Sequence, residues 1–244
     1  MRFSTHGGYD ASVGLGYDAV GKSYKVARLT TLLDHPDDEH PTTLAQVYSL
    51  ATGSWRSLGS IASCCDISSK ITYVLFNGAI HWAVRRWDDD CSFILTFDVG
   101  SESFGEIMMP ESIRSHQFLL SESKVSVSGD GKSLALFTSS RKDYKDDPFL
   151  DIWVIKEYGV QESWDKLMTL GPQRGIPRPL RFRKSGEVFL LQQEYSFYET
   201  VLAWLDLASG KIDRPESCQK KYCNSVDSYE ESLVLLDVGN AVFC

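Results

Sequence analysis

The chain has 244 residues and a formal net charge of −8 at pH 7, with 43% hydrophobic and 24% charged residues. This acidic balance disfavours general affinity for nucleic acid or anionic membranes, where a basic face is expected. No apolar run approaches the roughly 18 to 20 residues that span a bilayer, and the N-terminus has no apolar signal-peptide core.

Four segments repeat one pattern: an alternating apolar strand, a short turn with Gly, Ser or Thr, and an aromatic or aliphatic residue that opens a second strand. They are residues 47–58, 95–107, 153–167 and 203–213. The recurring residues are Trp55, Phe104, Trp164 and Ile212. Their spacing of about 50 to 60 residues is within the range of propeller blades, and recurrence at one position indicates packing between blades rather than ligand contact.

Another short strand is predicted upstream of each segment, at residues 24–29, 78–84, 132–137 and 186–191. Three of these strands follow turn signals of the hairpin type, which are Asn77-Gly78, Asp130-Gly131 and Ser185-Gly186. The unit therefore reads turn, strand, loop, strand, tight turn, strand. In the first unit we predict no further strand upstream of these three.

The stretch "DIWVIKEYGVQESWDKL", residues 151–167, has two interpretations. Ile152, Ile155, Tyr158 and Val160 fit loosely on one helical face, whereas "DIWVI" and "SWDKLMTL" are β-rich runs linked through Gly159. Because the stretch falls in register as the third copy of the repeat, we predict a hairpin.

These patterns predict one all-β domain over residues 1–244, a kelch-like or β-propeller-like array of small antiparallel sheets. The array is either incomplete or closed by a C-terminal strand. The units are predicted at about residues 14–59, 70–110, 118–170 and 177–215, and the closing strand at 231–237.

Six blocks in order resemble the hallmarks of plant F-box-associated domains, as in S-locus F-box and F-box/kelch-like proteins. They are "GLGYDAVGKSYKVARL", "VYSLATGSWRSL", "FNGAIHWAV", "ILTFDVGSESFGEIMMP", "DIWVIKEYGVQESWDKL" and "YEESLVLL". The resemblance covers nearly everything from Gly14 to Asp237. It implies a non-catalytic, protein-binding module that recognises targets for an F-box (SCF-type) ubiquitin ligase.

The family's F-box, about 45 residues that dock the Skp-type adaptor, is not expected in this chain, since Met1 lies only a dozen residues before "GLGYD". The resemblance therefore implies contact with the adaptor and cullin only through an F-box outside the chain. If the chain is of the S-locus kind, the resemblance implies a basic, pollen-rejecting ribonuclease as target. Other members recognise other proteins.

Equivalent loops of a propeller emerge on one face, and here the loops between the first and second predicted strands of each unit carry acids with aromatics among them. We predict that this face binds a basic protein partner, with acids steering it and aromatics anchoring it. Charged loops are more often solvated surface, and that alternative stays open. The predicted binding residues are Trp87, Asp88, Asp89, Asp90, Tyr144, Asp146, Asp147, Tyr195 and Tyr198.

Signals for catalysis or cofactors are weak. "GLGYDAVG" precedes a strand rather than a helix, and "GDGKS" lacks the P-loop spacing. "DHPDDEH" imposes no metal geometry, and His81 is expected to be a structural strand histidine. We expect no cofactor, no metal and no enzyme activity. The alternatives are a propeller enzyme acting in the central channel and a ligase-independent scaffold.

The six cysteines form no Cys-x-x-Cys pair, and none of the three asparagines begins a glycosylation sequon. Nothing in the pattern therefore asks for a secretory route. We expect reduced thiols and a cytoplasmic or nuclear location.

Overall fold

The structure is a computed structural model that describes most of the chain. In the described part nearly every regular element is a β-strand, and no helix there combines the length and apolar character needed to cross a membrane. The prediction of a propeller-like all-β fold is confirmed. The described residues are 9–32, 42–61, 65–67, 72–86, 89, 91–114, 119–141, 143, 145–172, 178–193 and 200–214.

The first sheet contains β1 (Tyr9–Asp18), β2 (Ser23–Leu32), β3 (Thr42–Ser49) and β4 (Ser54–Ser60). The strands are antiparallel and lie side by side in chain order. The expectation of no strand upstream of β2 is wrong, because β1 pairs with β2 along its full length.

The second sheet contains β5 (Cys65–Asp66), β6 (Tyr73–Phe76), β7 (Ala79–Arg86), β8 (Ser92–Asp98) and β9 (Ser103–Met108). The order is β5-β7-β8-β9, and β6 also pairs with β7, so the two short strands share one edge. A one-turn helix, α1 (Glu111–Arg114), follows the sheet.

The third sheet contains β10 (Leu119–Val127), β11 (Leu134–Arg141), β12 (Phe149–Ile155) and β13 (Trp164–Leu170), again in chain order. Antiparallel pairing of β12 with β13 confirms the hairpin predicted for residues 151–167. Helical propensity in this stretch yields only one 3₁₀ turn, Gln161–Ser163, in the link.

The fourth sheet contains β14 (Arg178–Phe182), β15 (Val188–Gln193), β16 (Thr200–Leu205) and the two-residue β17 (Ile212–Asp213). All pairings are antiparallel and in chain order. The predicted closing strand at 231–237 lies outside the described residues.

Three hydrophobic clusters join the four sheets in series: first to second, second to third, and third to fourth. One strand near the start of each sheet lies beside its counterpart in the next sheet: β1 lies beside β6, β6 beside β10, and β10 beside β14. The sheets therefore fan out from their first strands, as propeller blades do around an axis. In the described part no buried cluster joins the fourth sheet to the first.

Two of the three glycines of "GLGYDAVG", Gly14 and Gly16, lie in strand β1 and allow the first two sheets to approach closely. A Cβ at Gly14 would lie 2.5 Å from a methyl carbon of Ile80, and one at Gly16 would lie 2.5 Å from a methyl carbon of Val99. Such distances are too short for a carbon contact, so neither position accepts a side chain without movement. The glycine pattern serves packing between sheets.

Candidate functional site

The predicted acidic face consists of the connections β2–β3, β7–β8, β11–β12 and β15–β16. Each connection joins two adjacent antiparallel strands, and the strand ends that the four connections join occupy equivalent positions in the four sheets. Of the nine predicted binding residues, the structure describes Asp89, Asp146 and Asp147, and all three are exposed. The other six lie outside the described residues: Trp87, Asp88, Asp90, Tyr144, Tyr195 and Tyr198.

Asp89 shows how the β7–β8 connection is held. Its carboxylate accepts a hydrogen bond from the Cys91 N–H at 3.0 Å and pairs with the Arg86 guanidinium at 3.1 Å. These contacts lower the pKa of Asp89, the Cys91 N–H first. Arg86 also pairs with Glu106 at 2.6 Å and covers the ring of Phe93. The carboxylate is therefore ionised at neutral pH and partly neutralised by Arg86.

The β11–β12 connection carries Asp143, Asp146 and Asp147 near its described lysine, Lys145. A turn forms here, in which the Asp146 N–H donates to the Asp143 carbonyl at 3.0 Å. All three acids are exposed on this turn. Whether the four connections form one binding face stays a prediction.

The opposite end carries a buried ion cluster that the sequence reading missed. Lys25 on β2 places its ammonium 2.8 Å from Asp18, 2.8 Å from Glu102 and 2.9 Å from the carbonyl of Val99. Arg56 also pairs with Glu102. Residue Glu102 comes from the β8–β9 turn, so the cluster ties the turn end of the first sheet to that of the second.

The Lys25 ammonium finds its partners within the cluster. Hydrogen bonds from Lys25 and from the Gly21 N–H lower the pKa of Asp18, and Asp18 also accepts from the Val20 N–H at 2.9 Å. With the Lys25 ammonium bound by two carboxylates and a carbonyl, little donor capacity is left for a ligand. We assign the cluster to the joining of sheets. Its members stand far apart in the sequence, which is why no motif revealed it.

His81 lies fully buried between the second and third sheets. Its Nε2 is 2.8 Å from the hydroxyl of Tyr158, which reaches across from the β12–β13 link. Burial lowers the pKa of His81 to about 4, so the ring is neutral at physiological pH. As expected, the ring points away from Ile80 and Trp82, which face the first sheet. This is a structural contact.

The stretch "GDGKS", one of the weak catalytic signals, has a structural role. "GDGKS" forms the β10–β11 turn, and a Cβ at Gly129 would lie 2.7 Å from the backbone of Gly186 in the β14–β15 turn. The stretch "DHPDDEH" lies outside the described residues. Among the described residues no three His, Cys, Asp or Glu side chains are grouped as a metal would require.

The four recurring residues have unequal surroundings. Phe104, Trp164 and Ile212 pack against the clusters that join their sheets to the preceding ones, and the indole of Trp164 donates to the Met108 carbonyl at 2.9 Å. Trp55 is 46% exposed. Packing between blades was therefore predicted rightly for three positions and wrongly for Trp55, because no described sheet covers that side of the first sheet.

These features define a class: a repeat of small antiparallel sheets of four or five strands arranged like propeller blades, with short turns at one end. The chain belongs to the F-box associated beta propeller domain family, whose model matches residues 2–234.

Relatives agree with this assignment. The chain is 29% identical over 243 residues to the F-box protein CPR1 of Arabidopsis thaliana, a match that covers 91% of this chain and 55% of that protein. It is 25% identical over 223 residues to an F-box/kelch-repeat protein of the same plant, with the same coverage. The chain thus spans about half the length of these curated relatives.

Among solved structures, an acylaminoacyl peptidase in complex with a chloromethyl ketone matches with a TM-score of 0.50 and 10% identity, covering 86% of this chain and 33% of that chain. At this identity the likeness concerns the fold alone.

Proposed function

We propose that this chain is the non-catalytic, target-recognising part of an F-box-type ubiquitin ligase subunit. The observation that carries the proposal is membership of the F-box associated beta propeller family over nearly the whole chain, together with relatives that are themselves F-box proteins. The adaptor and cullin would be reached through an F-box outside this chain. A cytoplasmic or nuclear location follows from that role.

We further propose that the target binds the connections β2–β3, β7–β8, β11–β12 and β15–β16. Support comes from their equivalent positions in the four sheets and from the exposure of Asp89, Asp146 and Asp147. Clustered acids on rigid sheets steer a basic partner, and aromatic residues of the connections supply contact area. A basic ribonuclease of the kind that S-locus members recognise is one target of this chemistry.

The test uses affinity capture with mass spectrometry from plant tissue and two baits that differ by the same charge. One bait carries Asp88→Lys, Asp89→Lys and Asp90→Lys in the β7–β8 connection. The control bait carries Glu157→Lys, Glu162→Lys and Asp165→Lys at the opposite end of the third sheet. A basic protein held by the native chain and the control, and lost by the first bait, supports the proposed face.

The affinity of the purified partner for the chain is then measured at several ionic strengths. We expect affinity for the native chain to fall as ionic strength rises, with a weaker dependence for the Lys variant. Ubiquitination of the partner in plant cells, measured with and without a full-length relative that carries the F-box, tests the ligase link separately. Equal capture by both baits contradicts the proposed face but leaves the ligase link to the second assay.

A further inference from the structure

The turns β3–β4, β8–β9 and β16–β17 share one backbone conformation. Each is closed by a hydrogen bond from a backbone N–H to the carbonyl four residues earlier, at 2.8 to 2.9 Å. The residues that donate are Gly53, Glu102 and Gly210. All three have a positive φ, which is +61° at Gly53, +56° at Glu102 and +69° at Gly210. Two of the turns therefore have the glycine that this conformation favours, and the β8–β9 turn has a glutamate instead.

A glutamate at this position is strained. A left-handed backbone brings the Cβ atom too close to the following carbonyl oxygen, and glycine avoids that contact because it has no Cβ. Strained residues persist where the surrounding contacts offset the strain. Since the same turn forms with glycine in two other sheets, turn formation does not require a side chain here. The contacts that the Glu102 side chain makes are therefore its reason for being there.

The Glu102 carboxylate binds two cations of the first sheet. Its Oε1 lies 2.8 Å from the Lys25 Nζ, and the carboxylate also pairs with the Arg56 guanidinium. The Lys25 and Glu102 side chains are only 10% and 16% exposed, so water screens this pair weakly. The Arg56 side chain is 62% exposed and contributes less. The Lys25 ammonium also binds the carbonyl of Val99 in the same turn, at 2.9 Å.

Both sides of this contact are fixed within their own sheets. On the first sheet, Lys25 pairs with Asp18 at 2.8 Å, and the Asp18 carboxylate accepts from two N–H groups of the β1–β2 turn at 2.9 Å. On the second sheet, the Val99 N–H donates to the Gly78 carbonyl at 3.1 Å, which ties the β8–β9 turn to the β6–β7 turn. The contact therefore joins two sheets and not merely two side chains.

We propose that Glu102 is a strained clasp. The chain keeps a glutamate in the left-handed conformation because its carboxylate docks the turn end of the first sheet on the second sheet through Lys25. Without the carboxylate the two sheets still pack through their hydrophobic cluster, but the turn end of the first sheet opens more often. The clasp is a conformational device of the fold and does not depend on the proposed ligase role.

The test is the sign of the change in unfolding midpoint for Glu102→Gly. This variant has the residue found in the other two turns, so it can form the turn. Without a clasp, relief of the backbone strain should raise the midpoint. With the clasp, we expect the midpoint to fall by about 3 °C or more, because the loss of the ion pair outweighs the relief of strain.

Two further variants separate charge from strain. Glu102→Gln keeps a long side chain and the left-handed backbone but removes the charge, and its midpoint should also fall. Glu162→Gln removes an exposed carboxylate from the β12–β13 link, and its midpoint should stay within about 1 °C of that of the native chain. A fall of equal size in both Gln variants would assign the effect to net charge and overturn the proposal.

The matched control for strain is Gly53→Glu. Among the described residues no atom lies within 4 Å of a Cβ added at Gly53, so the variant introduces the strain of glutamate without a clash. We expect the midpoint to fall by about 2 to 4 °C. An unchanged midpoint would show that the turn accepts glutamate without strain, and it would remove the reason to treat Glu102 as exceptional.

Amide hydrogen exchange with mass spectrometry locates the effect. In Glu102→Gly and Glu102→Gln, exchange in β1 and β2 should be faster by about threefold or more, whereas β15 and β16 should exchange as in the native chain. Two results overturn the clasp. One is a midpoint of Glu102→Gly at or above that of the native chain. The other is equal acceleration in all four sheets, which would indicate a loss of global stability without opening between the first two sheets.

Discussion

The first and third sheets each carry a row of three residues at equivalent positions, and the two rows have different surroundings. In the third sheet Leu134 and Ile155 are buried and Trp164 packs beside them on the second sheet. In the first sheet Val26 and Tyr48 are only half-buried and Trp55 is exposed. Strand pairing and register are alike in the two sheets, so the backbone repeat does not determine how much each residue stabilises the protein.

The difference teaches that the position in the array sets the energetic role of a repeated residue. A row covered by a neighbouring sheet contributes the burial of its apolar area, about 25 cal/mol per Å². The row of the first sheet, which no described sheet covers, carries the same aromatic residue, and there the Trp55 indole contacts Arg28 and Tyr48. Paired substitutions at equivalent positions measure that difference directly.

The largest difference is expected in the middle strand of each sheet. Phe97→Ala removes a fully buried ring that packs at 4.9 Å from Phe104, and should lower the free energy of unfolding by about 4 kcal/mol. Tyr48→Ala at the equivalent position should cost about 1 kcal/mol, because its ring is partly in water. Urea unfolding of the two variants checks this, and equal losses would remove the distinction between covered and open rows.

A smaller difference is expected at the recurring aromatic position. Trp164→Ala loses packing and the hydrogen bond to the Met108 carbonyl, and should cost about 3 kcal/mol. Trp55→Ala should cost less than about 1 kcal/mol, since the indole is 46% exposed and no described sheet covers it. Thermal unfolding followed by circular dichroism gives both values, and a Trp55 variant as unstable as the Trp164 variant contradicts the assignment.

Acid should weaken a covered interface through His81, the only histidine among the described residues. Its folded pKa of about 4 lies below the ordinary 6.5, so the unfolded chain binds this proton first as pH falls. The free energy of unfolding should drop by about 2 kcal/mol between pH 7 and pH 5 and by about 3 kcal/mol below pH 4. At pH 7 the stabilisation that depends on neutral His81 is almost fully present, and it is lost as the pH falls.

The His81→Gln variant isolates that contribution, because acids such as Asp18 and Asp98 titrate in both proteins. Unfolding free energies of the native chain and the variant should converge as pH falls from 7 to 4. A constant difference across this range would show that His81 does not titrate between folded and unfolded states.

The smallest effect is expected at the first strand. Gly14→Ala directs a methyl group into Ile80 and Trp82 and should cost about 1 to 2 kcal/mol through displacement of the second sheet. Val13→Ala, one residue away on the side of the first sheet that no described sheet covers, should change stability by less than about 0.5 kcal/mol. Differential scanning calorimetry resolves the pair, and a neutral Gly14 variant would show that the two sheets yield at this contact.

Periodicity in the sequence predicted the last three strands of each sheet, because their apolar alternation is regular and their turns carry Gly. The strands that precede these three in each sheet were not predicted, for physical reasons. Strand β1 has glycines where it meets the second sheet, β6 has four residues, β10 is mostly polar, and β14 contains Pro179. These strands lie where sheets converge, so approach between backbones replaces side-chain patterning.

The sites were less predictable than the fold. Acidic connections can be recognised from composition, but their joint use depends on a partner that the sequence does not contain. The Lys25 cluster joins Asp18, Glu102 and Arg56 from separate strands and turns. The exposure of Trp55 depends on which sheets lie beside the first one. Such features arise from packing between sheets, which local patterns do not encode.

The serial arrangement of the three hydrophobic clusters has a consequence for cooperativity. Within the described residues, the second and third sheets are each held by two clusters, whereas the first and fourth are each held by one. In a nearest-neighbour description the outer sheets open at lower free energy than the inner ones. Amide hydrogen exchange should therefore be slowest in β7, β8, β11 and β12, and the protein should lose structure inward from both ends.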